Sequence, residues 1–110
     1  MRDDVLSEGI EMAMEFGKNW LQPIQGRLQV RYPGLSAEEL ELYNSTSQQA
    51  MRRGHQVVPS CFRDARGQQG PAYRAFSQVM RADYPWLTEG NLSHLFSQGC
   101  YYAWKDGALP

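Results

Sequence analysis

The chain has 110 residues, of which 42% are hydrophobic and 21% charged, and its formal net charge is −1. This length suits one domain with its own core, without metal or disulfide staples. The composition is too apolar and too nearly neutral for disorder, and the charge balance leaves no global field to recruit nucleic acid or a membrane surface.

Asp3 and Asp4 are N-cap candidates for a first helix, and acids there complement the helix dipole. From there Leu6, Ile10, Ala13, Gly17, Trp20, Leu21, Ile24 and Leu28 recur at helical spacing, so one apolar stripe is expected. Met12 and Phe16 lie off that stripe, and Pro23 is expected to kink or restart the helix near Leu21. Tyr32-Pro33-Gly34 then breaks it, because residues before proline avoid helical geometry.

Ser36 reads as the next N-cap. Glu39, three residues on, completes a capping box, and Leu35 and Leu40 are spaced for a hydrophobic staple. The second helix is expected from about Ala37 into the low fifties, with Leu40, Tyr43, Ser47, Ala50, Met51 and Gly54 inward. The stretch over 55–70, punctuated by Pro59, Gly67 and Gly70, reads as an irregular connector with short helical turns near Cys61. Pro71 suits the first turn of a third helix carrying Tyr73, Phe76, Val79 and Met80 inward. Pro85 breaks that helix, Thr88 caps a fourth, and Leu92, Leu95, Phe96, Gly99, Cys100 and Ala103 form its inner face before Gly107 ends it.

The two breaks are written alike. "RYPGLSAEEL" from Arg31 and "DYPWLTEGNL" from Asp83 share Tyr, Pro, Leu and the final Leu in register, 52 residues apart. The same offset sets Ile24 against Phe76 and Leu28 against Met80. The expected fold is all-α, a single domain over 1–110. Its four main helices form two similar helix-turn-helix hairpins (about 4–54 and 71–107) joined by the 55–70 connector. Internal duplication and convergence on common capping signals both account for the likeness.

Chemistry-bearing residues are few. Cys61 and Cys100 are the only cysteines, with no Cys-x-x-Cys pair, and the first residues are acidic where a secretion signal would be basic. The expected setting is therefore reduced and cytoplasmic. Arg63 and Arg66 near Cys61 would favour a thiolate, but neither His55 nor His94 stands in a nucleophile-activating motif. His55 and Cys61 are six apart, as are His94 and Cys100, a spacing that suits no zinc site. No apolar run is long enough to span a membrane. No cofactor, metal or catalytic residue is expected.

Two surface features remain. On the last helix His94, Ser97, Tyr101 and Trp104 follow at steps of three, four and three, and so share a face outside the apolar one. Exposed Tyr and Trp are enriched at binding hot spots. Trp86, where the first copy has Gly34, joins them as a candidate partner contact. The second feature is charge: residues 1–45 carry eight acids against four bases, and residues 46–110 four acids against seven bases. Arg52, Arg53, Arg63 and Arg66 are the candidate contacts for an anion or an acidic partner. The function expected is non-enzymatic binding of another protein, including a second copy of the chain, through the aromatic face. The alternative is nucleic-acid binding through the basic 52–81 segment. The three glutamates that open the second helix disfavour it, because they would repel phosphates.

Overall fold

A computed structural model describes residues 1–109. Its described residues form five α-helices and no strand: α1 (Asp3–Ala13), α2 (Gln25–Arg31), α3 (Ala37–Asp64), α4 (Gln69–Asp83) and α5 (Glu89–Lys105). The expectation of an all-α fold holds, and the count of four main helices is corrected to five. The difference arises near the N-terminus. There the single stripe drawn from Leu6 to Leu28 is cut after Ala13, and a short 3₁₀ turn occupies Gly17–Asn19. Gly17 and Leu21 both adopt left-handed backbone, at φ 84° and 65°, which no α-helix can carry through. Arg2, rather than Asp3 or Asp4, occupies the N-cap of α1, and the two acids lie in its first turn.

The second correction concerns the connector. α3 runs 28 residues to Asp64 with Pro59 inside it, so most of 55–70 is helical. An interior proline forfeits a backbone bond and costs about 3 kcal/mol. Val58 and Cys61 on either side of it are buried, and full burial of the valine alone returns about 1.5 kcal/mol or more. Packing therefore carries the helix past its breaker. It stops at Ala65 with a double closure. The Gly67 N–H donates to the Phe62 carbonyl at 2.8 Å and the Arg66 N–H to that of Arg63 at 3.1 Å, with Arg66 itself left-handed at φ 53°.

α3 is the axis on which the other helices pack, in a body of 47 × 28 × 18 Å. Its expected inner residues, Leu40, Tyr43, Ser47, Ala50, Met51 and Gly54, are all buried. α3 and α5 approach closely where both carry glycine. A Cβ on Gly54 would meet Leu95 Cδ2 at 2.5 Å, and one on Gly99 would meet Val58 Cγ2 at 2.6 Å. Phe76 and Met80 of α4 are buried, whereas Val79, expected inward, is on the exposed side.

The two repeated stretches make the same turn. Tyr32 closes α2 at φ −132°, ψ 75°, and Tyr84 closes α4 at φ −131°, ψ 72°. The Leu35 N–H then donates to the Tyr32 carbonyl at 3.2 Å, and that of Leu87 to Tyr84 at 3.1 Å. Ser36 with Glu39 and Thr88 with Asn91 both form complete capping boxes. Ile24, Leu28, Phe76 and Met80, matched by the offset of 52, are fully buried. At the far end of α5, Gly107 turns left-handed at φ 72°, and the Ala108 N–H reaches back to the Ala103 carbonyl at 2.8 Å.

Candidate functional site

One face of α5 lines a groove of about 1020 Å³. Glu89, Ser93, Phe96, Ser97, Cys100, Tyr101 and Trp104 form this wall, at steps of three and four that keep them on one side of the helix. The opposite wall is Phe62 at the end of α3 with Gln69, Gly70 and Tyr73 at the start of α4, and Leu109 closes one end. The floor is aromatic: Phe62 stacks on Phe96 with centroids 5.7 Å apart, and Tyr73 meets Phe96 edge-on at 5.1 Å. Above it Tyr101 is 49% and Trp104 68% exposed, so two large rings at the groove are open to solvent over about half of their surface or more.

Three of the five residues expected on the aromatic face, Ser97, Tyr101 and Trp104, are thus brought together at the groove. The other two lie apart. His94 turns toward α1, where its Nδ1 lies 2.8 Å from Glu11 Oε1. Trp86 is half-buried in the turn before α5, edge-on to Tyr84 at 6.1 Å. The four arginines divide as well. Arg53 faces Asp83 at 3.8 Å, while Arg63 in the last turn of α3 and Arg66 in the turn after it stand exposed, close along the chain to the lining residue Phe62. Arg52 lies more than two helical turns before them on α3, also exposed.

Glu89 is the one charged side chain that lines the groove, and its charge is met inside the chain. The Tyr73 hydroxyl donates to Oε1, and the Arg81 guanidinium lies 3.1 Å from Oε2. Burial, then Glu89, raises the Tyr73 phenol above its ordinary value, which keeps it a donor. The thiols are not activated. Burial, followed by the charge of Asp64, pushes Cys61 up, and burial alone pushes Cys100 up. Among the described residues no three His, Cys, Asp or Glu side chains converge as a metal site, and no helix is long and apolar enough to cross a membrane.

A second aromatic group escaped the sequence reading. Trp20 stacks on Tyr102 at 5.8 Å, Phe16 packs on Trp20 at 5.0 Å, and His55 lies 5.2 Å from Tyr102. Gln98 ties this group down: its Nε2 donates to the Met14 carbonyl at 2.9 Å and its Oε1 lies 2.8 Å from His55 Nε2. Desolvation lowers the His55 pKa, against the opposing effect of its bond to Gln98. The sequence held one signal for this group. Gly17-Lys18-Asn19 just ahead of Pro23 is turn chemistry, and a turn there folds Phe16 and Trp20 back onto α5.

Comparison with protein-family models, with curated proteins and with solved structures finds no match to this chain.

Proposed function

We propose that this chain is a non-enzymatic, cytoplasmic protein that works by binding another protein along the α5 groove. The observation that carries the reading is the pair Tyr101 and Trp104, about half and two-thirds exposed, bordering an aromatic groove in a chain whose other aromatic rings, Phe16 apart, are buried or half-buried. Tyr and Trp bring much contact area at little entropic cost, and at interface centres they contribute a large share of the binding energy. Burial holds the Cys61 and Cys100 thiols above their ordinary value, which disfavours a thiolate nucleophile at either position. We read the two matching turns as the trace of a duplicated hairpin, with α2–α3 and α4–α5 as its copies and α1 as an addition.

The test is sedimentation equilibrium of the chain over a concentration series, alone and with proteins captured on it. Replacing Trp104 by Ala is expected to weaken self- or partner association by tenfold or more, equivalent to about 1.4 kcal/mol, while the circular dichroism stays unchanged. Undiminished association of the folded variant would remove the groove from the function.

A further inference from the structure

We propose that the groove receives an acidic amphipathic helix of about four turns, an inference that rests on the docking reading above. The shape argument comes first. The lining residues of α5 run from Glu89 to Trp104, sixteen residues and so about 22 Å of helix. A single helix of similar length lies along such a wall with residues at i, i+3, i+4 and i+7 against Phe96, Tyr101 and Trp104.

Charge then selects the partner's flank. Five cations of the fold already have carboxylates: Arg2 with Asp4, Arg27 with Glu15, Arg31 with Glu8, Arg53 with Asp83 and Arg81 with Glu89. Among the described residues, six bases have no ion pair: Lys18, Arg52, Arg63, Arg66, Arg74 and Lys105. None of these lines the groove itself, but four stand close along the chain to residues that do. Arg63 and Arg66 flank the end of α3 next to Phe62. The Arg74 Nη1 lies 3.8 Å from where a side chain on the lining residue Gly70 would begin. Lys105 follows Trp104. Asp64 and Asp106 offset part of this charge, and Glu89 is taken by Tyr73 and Arg81, so the residues that flank the lining ones along the chain keep an excess of bases. Guanidinium groups on an apolar rim match carboxylates through charge-assisted, bidentate bonds. An occupant with leucine-like residues on one face and glutamates beside them satisfies both the floor and the rim.

The experiment uses two labelled synthetic helical peptides of about 16 residues, matched in length to the groove. Both carry leucines at i, i+3, i+4 and i+7. One is flanked by glutamates, the other by lysines. Fluorescence anisotropy with the full chain is expected to show the glutamate peptide binding about tenfold or more tighter than the lysine peptide, with the advantage shrinking in high salt. Trp104→Ala is expected to weaken both peptides. The exposed double change Arg66→Gln/Arg74→Gln is expected to weaken the glutamate peptide alone. Equal binding of the two peptides, or indifference to the arginine changes, overturns the acidic partner. If neither peptide binds but the chain forms a dimer that Trp104→Ala dissolves, the docking reading stands and the acidic helix fails. If the glutamate peptide binds regardless of Trp104, the groove itself fails as the site. A single-stranded oligonucleotide that binds through the arginines when neither peptide does overturns the proposal in favour of nucleic acid.

Discussion

Gly54 and Gly99 set how closely α3 and α5 approach. Glycine inside a helix costs about 1 kcal/mol relative to alanine, so its use in two helix interiors needs a packing reason. That reason is visible at Gly99, where a Cβ would stand 2.6 Å from Val58 Cγ2. Overpacking of this kind costs about 1–3 kcal/mol. Gly99→Ala is therefore expected to destabilise despite its better helix propensity. Val58→Ala is expected to destabilise by about 2 kcal/mol through the space it leaves. The double variant is expected to lose less than the sum, by about 1 kcal/mol, because each change removes the other's clash or gap. Urea denaturation of all four proteins measures the cycle, and strict additivity would show that the two residues do not press on each other.

At the scale of elements, the two capping boxes look equivalent in sequence but carry different weights. Glu39 closes the box of α3 in solvent. Asn91 closes that of α5 while buried against α1, where it accepts from Ser7 Oγ at 2.8 Å and donates to Glu11 Oε2 at 2.8 Å. Removing it takes away several hydrogen bonds of a buried side chain at once and leaves the half-buried Ser7 hydroxyl without its acceptor, at a cost of about 1–2 kcal/mol. Asn91→Ala is thus expected to lower the melting temperature clearly more than Glu39→Ala. Thermal unfolding followed by circular dichroism decides it, and equal losses would mean that the α1–α5 contact contributes nothing beyond the cap. The groove also depends on such element-level detail. Its second wall exists only because α3 continues past Pro59 to Phe62, and then closes sharply enough for α4 to begin at Gln69.

Across the whole molecule, α1 and the turn after it are held to α5 by a seam of polar bonds: Ser7 and Glu11 to Asn91, Glu11 to His94, and Met14 through Gln98 to His55. His55 makes this seam sensitive to acid. Its imidazole is held neutral by burial, so its folded pKa lies below the ordinary 6.5. The unfolded chain then takes up the proton first, and the stability that His55 contributes is present above about pH 6.5 and declines as the pH falls toward the lower folded value. The melting temperature is expected to drop between pH 7 and pH 5, and His55→Gln is expected to flatten that slope. A variant with the same slope as the natural chain would place the titration elsewhere.

The local signals were read from the sequence alone because their physics is local. Tyr32-Pro33 and Tyr84-Pro85 exclude helix by sterics with the next residue, and Ser36, Glu39 and Thr88 satisfy backbone donors within three residues. The same holds for the inner face of α3 from Leu40 to Gly54 and for the stripe that places Ser97, Tyr101 and Trp104 together. Tertiary contact decided the rest. Pro59 reads as a breaker until Val58 and Cys61 are buried beside it, and Gly17 and Leu21 reverse the chain so that Trp20 meets Tyr102. His94 shares a helix face with Tyr101 in the sequence, yet it is drawn to Glu11, a partner 83 residues away that no local pattern announces. Periodicity ranks positions around one helix. Which side of that helix faces solvent, a neighbour or a groove is set by the helices packed against it.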